Sequence, residues 1–161
     1  MALDTTIGGA AAEAYISVAD ADTYFSARGN AAWAALTETQ KEQNLRLGAD
    51  YMVQVYGPRW KGQRATTTQA LDWPRADVCG VASNVVPVAV QRANAELAVR
   101  AASGQLLADQ GAQVKQETVG PISVTYADGA RQGTRYAAVD GLLGPYLIGG
   151  AGGGQIPVVR C

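Results

Sequence analysis

Residues 37–58 constrain the fold more than any other stretch of this chain. Thr37 followed by Gln40 is a capping-box pattern, in which hydroxyl and amide satisfy backbone N–H groups that a first helical turn leaves unpaired. Gly57 and Pro58 stop the helix after Tyr56, so a long helix is predicted between these signals. Leu45, Ala49, Met52 and Tyr56 form one apolar stripe, and Leu47, Tyr51 and Val55 form another. That arc is wider than one contact requires, so the helix is expected to pack on more than one neighbour. Glu42 and Arg46 stand at i,i+4 on its polar side, a pairing worth only about 0.3–0.5 kcal/mol.

The other elements follow from the same signals. Ser17 is placed to cap a short helix from Val18, with Asp20 and Asp22 near its positive end and Val18, Ala21 and Phe25 on one face. Gly29 and Asn30 end it, and a brief turn through residues 31–36 carries Trp33. Pro87 suits the first turn of a further helix reaching about Ser103, with Val90, Ala93, Leu97 and Ala101 aligned and Glu96 at i,i+4 from Arg100. Beyond Gln113 the period changes to two: Ile122, Val124 and Tyr126 alternate with Ser123 and Thr125, after Val114–Val119 and a Gly120–Pro121 turn. This predicts one β-hairpin at about 113–126. A last short helix over Ala138–Ile148 is expected to break near Gly144 and Pro145.

The expected fold class is mainly α: a small helical bundle with one β-hairpin and extended N- and C-terminal arms. The organisation is an arm over residues 1–14, a helical domain over 15–148, and a tail over 149–161. In that tail Gly149, Gly150, Gly152, Gly153 and Gly154 form a tether, followed by the apolar, β-prone peptide Gln155, Ile156, Pro157, Val158, Val159 and Arg160. An apolar strand on a glycine tether does not bury easily in its own small domain, so this peptide is expected to dock on a partner by strand addition or groove filling.

Composition narrows the chemistry. The chain has 161 residues, enough for one domain with a core. With 13 Lys and Arg against 14 Asp and Glu, the net charge of −1 provides no general field for a polyanion, although a local patch remains open. Histidine is absent, which removes the commonest proton-transfer group and transition-metal ligand. Cys79 and Cys161 lie far apart with no metal-type spacing, so neither a disulfide framework nor a zinc site is expected. No stretch approaches the ~18 apolar residues of a membrane span, and residues 1–12 lack a basic region followed by an apolar run. These features lead us to expect a soluble protein made in the cytoplasm, with no cofactor, no membrane partner and no enzymatic activity.

Two constellations invite functional readings. Trp60 lies among Arg59, Lys61 and Arg64, and Trp73 lies near Arg75, a mixture that can stack unpaired bases and hold a phosphate backbone. The plainer reading is stronger, since tryptophan is mostly buried and arginine stems often cover it, so these rings are expected to pack their own long loop, residues 59–86. The glycines of 149–154 do not form a phosphate cradle, because no GxxxxGK[ST] occurs and the run follows a helix. The pairs Asp20/Asp22 and Asp72/Asp77 are accounted for by capping and turn formation.

The run Ala14-Tyr15-Ile16-Ser17-Val18-Ala19-Asp20-Ala21-Asp22-Thr23-Tyr24-Phe25 resembles the opening of small tailed-phage neck proteins. The likeness continues through Trp33 and Leu36, the long helix, the basic tryptophan stretch Arg59–Arg64 and the Ala-Leu-x-Trp-Pro-Arg motif at Ala70–Arg75. It extends through Pro87–Ser103, Val119-Gly120-Pro121-Ile122 and Ala138-Val139-Asp140-Gly141-Leu142-Leu143, covering about residues 14–147. Members of that family are labelled head-tail connector adaptors or DnaT-like single-stranded-DNA-binding proteins.

The adaptor label implies a homo-oligomeric ring, usually of twelve subunits, in the virion neck. Its partners would be the portal protein, a downstream neck, stopper or tail protein, and genome DNA passing through the lumen without sequence-specific contacts. In this reading the tail peptide docks on portal or neighbour. The second label implies a DNA-contact loop made of Arg59, Trp60, Lys61, Arg64, Trp73 and Arg75.

Overall fold

The computed structural model describes residues 2–108, 116–119, 122–125 and 134–149, with 116–119 and 122–125 described by their backbone. It is mainly helical: α1 (Val18–Ser26), α2 (Ala31–Ala34), α3 (Glu38–Tyr56), α4 (Val88–Ala101) and α5 (Ala137–Leu143). Short 3-10 turns follow α3 at Gly57–Arg59 and α5 at Gly144–Tyr146. Two antiparallel pairs complete it, β1 (Gln63–Arg64) with β2 (Arg75–Ala76), and β3 (Gln116–Val119) with β4 (Ile122–Thr125). Among the described residues no helix is long and apolar enough to cross a membrane.

Local chemistry sets the helix starts. The Ser17 hydroxyl accepts from the Asp20 N–H, and the Asn30 side chain accepts from the Trp33 N–H. At α3 both halves of the capping box form, with Thr37 Oγ1 accepting from Gln40 N and Gln40 Oε1 accepting from Thr37 N. Pro87 stands one position outside α4 as its cap residue. That helix stops at Ala101, two residues before the predicted end, because the Ala102, Ser103 and Gly104 N–H groups turn back onto the last carbonyls. The final helix bends at Gly144–Pro145 as expected, and β3 and β4 fall within the predicted hairpin.

The core lies mainly between α3 and α4, with α5 against α4 and α1 closing the far end. Leu45, Ala49, Met52 and Tyr56 of α3 are buried, as are Val90, Ala93 and Leu97 of α4. The second α3 stripe divides: Tyr51 is buried, whereas Leu47 is 51% exposed because no described element covers that flank. Gly48 allows the close crossing, since a Cβ there would stand 2.9 Å from the Asn94 carbonyl oxygen and 2.8 Å from its Nδ2. Phe25 and Trp33 close a smaller cluster with Ala14, Ile16, Leu45, Ala95 and Ala98.

Packing begins earlier than the sequence pattern suggests. Residues 2–14 have no helical or strand period, yet Ala12 and Ala14 are buried and Glu13 forms an ion pair with Arg46 at 2.9 Å. The Leu3 N–H donates to Glu42, and Gly8 lies against Pro74. Such an extended segment is held by contacts with residues distant in sequence, which periodicity does not register.

The β1–β2 pair is also new relative to the sequence reading, which has residues 59–86 as irregular. Two-residue strands carry no measurable alternation, and this pair depends on a turn at Gly62, whose φ is +66° and whose absent side chain leaves room for the Ala76 carbonyl.

Candidate nucleic-acid interface

The tryptophan loop closes around Asp72. The Trp60 indole N–H donates to Asp72 Oδ2 at 3.2 Å, and Arg64 donates to Asp72 Oδ1 at 3.1 Å. Tyr15 Oη accepts from the Asp72 backbone N–H at 3.0 Å, joining the N-terminal segment to the loop. Burial, largest among the causes, pushes the Tyr15 phenol well above the usual tyrosine range. The rings form a chain: Tyr56 meets Trp60 tilted at 6.0 Å, and edge contacts follow from Trp60 to Trp73 at 5.7 Å and from Trp73 to Tyr146 at 5.5 Å. Trp60 is 2% and Trp73 1% exposed, so neither presents a ring face on which a base could stack.

Arg75 is spent inside the same loop. Its guanidinium donates to the backbone carbonyls of Lys61 and Gly62 at 2.8 Å and of Asp72 at 3.2 Å. Burial lowers its pKa from the usual arginine value. Arg64 is its direct partner across β1–β2, and the like charge adds to that lowering.

The remaining members of the proposed contact loop reach the surface. Arg59 is exposed and lies 6.0 Å from the Tyr56 ring, while the Lys61 ammonium donates to the Pro145 carbonyl at 2.8 Å. Backbone bonds from Lys61 N to Tyr146 O and from Ile148 N to Arg59 O tie this edge to the segment after α5. The loop therefore brings the six residues together but divides them, with Trp60, Trp73 and Arg75 inside and Arg59, Lys61 and Arg64 at the rim. Residues 150–161, including the expected docking peptide 155–160, lie outside the described residues.

A second basic cluster lies on the α1–α4 face. Tyr24 and Arg28 stand one helical turn apart, and the Arg28 guanidinium carbon lies 3.7 Å over the tyrosine ring centroid. Arg28 Nη1 also donates to the Tyr24 carbonyl at 2.9 Å. Arg92 approaches the same ring from α4 at 5.7 Å. The Tyr24 hydroxyl donates to Glu96 at 3.0 Å, and Glu96 takes the Arg100 guanidinium at 2.6 Å. Burial first, then the Glu96 bond, raises the Tyr24 pKa above its usual value, so the phenol keeps its proton. The Tyr24/Arg28 spacing is legible in the sequence, but Arg92 joins it only through the packing of α4 on α1.

Among the described residues no group of three or more Cys, Asp or Glu side chains is arranged to hold a metal ion. Several acidic side chains are engaged in ion pairs, as with Asp22 to Lys41 at 2.8 Å and Glu13 to Arg46. Fold and surface define a small, mainly helical protein with its tryptophans in the core and arginines displayed at two places. The chain belongs to the family described as "Putative DnaT-like ssDNA binding protein", which it matches over residues 1–161. No curated protein and no solved structure matches it.

Proposed function

We propose that this protein binds single-stranded DNA without catalysing a reaction, and that its grip is electrostatic and not a stack on Trp60 and Trp73. The observation that carries this reading is the family match over residues 1–161. Burial of both rings supports its second half, because a stacking platform needs an open face. Exposed cations such as Arg59 and Arg64 supply phosphate contacts in its place. The test is fluorescence anisotropy of a labelled oligo(dT) strand with the full chain, titrated with salt. Binding that weakens steeply as salt rises, and that survives Trp60→Phe, is expected. Absence of binding at low salt refutes the reading, and loss of affinity in a folded Trp60→Phe variant refutes its electrostatic form.

A second reading is a structural adaptor of the phage neck: a ring, of twelve subunits by the family resemblance, between portal and the next neck, stopper or tail protein in the virion. It is favoured by the ordered motif resemblance over about residues 14–147 and by the exposed apolar side chains Leu47, Val88, Leu107 and Ile148. Such side chains offer contact area to neighbouring subunits. In this reading genome DNA passes the ring with backbone contacts only, and residues 155–160 dock on portal. Co-sedimentation with the portal ring from the same genome, beside a truncation ending at Ile148, tests it. Binding lost on truncation supports both the adaptor and the tail's role, and no binding by either form removes it.

A further inference from the structure

We propose that Tyr24, Arg28 and Arg92 form a subsite for one nucleotide step of a single strand, the two guanidiniums taking phosphate oxygens and the Tyr24–Arg28 stack receiving a base. The proposal rests on the DNA-binding reading and assigns it a place away from the tryptophan loop. Its basis is the juxtaposition of a fixed half-buried ring with two exposed arginines that form no salt bridge among the described residues.

The two arginines carry charge that no salt bridge among the described residues offsets. Lys41, Arg46, Arg64, Arg100 and Arg135 each form a salt bridge. Arg28 and Arg92 form none among the described residues, although the protein as a whole carries −1. Both are exposed, and both lie beside the same ring, at 3.7 and 5.7 Å from its centroid. Glu96 is the acidic group at this cluster, and it is already engaged by the Tyr24 hydroxyl and Arg100. The cluster is thus a local positive patch on a nearly neutral surface.

Its geometry suits a nucleotide better than an isolated anion. Arg28 is held over the ring by its bond to the Tyr24 carbonyl, and Tyr24 is held by Glu96, so little side-chain freedom remains to be lost on binding. A guanidinium plane offers its edge to phosphate oxygens and its outer face to a base, and the ring beneath reinforces that face. A free phosphate would use the edges alone and leave the stack idle. A strand crossing α1 towards α4 would use both.

The experiment measures oligo(dT) affinity of the full-length protein against salt concentration, for wild type, the double variant Arg28→Gln/Arg92→Gln, Tyr24→Leu, and the control Arg135→Gln. Thermal melting confirms that each variant folds. The double variant is expected to bind about tenfold more weakly at low salt, with a log–log salt slope shallower by about 1.4, at about 0.7 per phosphate contact on a single strand. Tyr24→Leu is expected to weaken binding several-fold beyond any charge effect, and Arg135→Gln to bind as wild type.

A folded double variant with wild-type affinity and slope overturns this subsite while the DNA-binding reading stands. Failure of the wild-type protein to bind overturns both. Polyglutamate that displaces the strand as well as unlabelled oligo(dT) does overturns the nucleotide assignment and marks an acidic-protein surface.

Discussion

Asn94→Ala isolates the joint on which three parts of the molecule depend. Asn94 is 0% exposed at the crossing of α3 and α4. Its Nδ2 donates to the Leu45 carbonyl at 2.9 Å, and its Oδ1 accepts from the Tyr15 N–H at 3.0 Å. One amide thus joins α4 to α3 and to the segment entering α1. Alanine removes both bonds and leaves the Tyr15 N–H buried without an acceptor. Each net bond is worth about 0.5–1.5 kcal/mol, and an orphaned buried donor costs about 1–3 kcal/mol, so a loss of about 2–4 kcal/mol is expected. For a chain of this size that lowers Tm by roughly 4–16 °C.

Urea unfolding followed by circular dichroism measures the change, with an unaltered m-value confirming that the transition is the same one. Asn94→Asp sharpens the test. It keeps the acceptor for Tyr15 but sets a carboxylate oxygen against the Leu45 carbonyl, so its penalty should grow as pH rises and the carboxyl ionises. A change below about 0.5 kcal/mol in Asn94→Ala, the range of an ordinary surface substitution, would refute the argument.

Further expectations follow from single contacts. Gly48→Ala should destabilise by about 1–3 kcal/mol through overpacking against Asn94, in spite of its helix-propensity gain, whereas Gly141→Ala in α5, with nothing within 4 Å, should stabilise by about 0.5–1 kcal/mol; paired denaturation curves check both. Trp60→Phe should cost about 1–3 kcal/mol by orphaning its bond to Asp72, with melting shifted and DNA affinity unmoved. The hydrogen bond from Arg46 holds the Glu13 carboxyl below its usual 4.5. The stability it confers is full above pH about 4.5 and is lost as pH falls through the lower folded value. The melting difference between wild type and Glu13→Gln should therefore be constant near neutrality and vanish in acid.

What the residues determine by themselves is local. Ser17, the Thr37/Gln40 pair, Gly57–Pro58 and Gly144–Pro145 act within one or two turns, so the starts of α1 and α3, the end of α3 and the bend after α5 were legible, as was the hairpin from its period of two. The core faces of α3 and α4 followed from the same periodicity, apart from Leu47, whose exposure depends on what packs beside it. The tryptophan loop was legible as a cluster but not in its orientation. Trp60 and Arg75 turned inward because Asp72 and the loop carbonyls satisfy their polar atoms there, and those partners converge only after folding. The Tyr24–Arg28–Arg92 patch was out of reach for the same reason. A helix places neighbours three or four residues apart, but whether a cation on α4 reaches a ring on α1 is settled by how the helices cross, and that crossing is a property of the packed core.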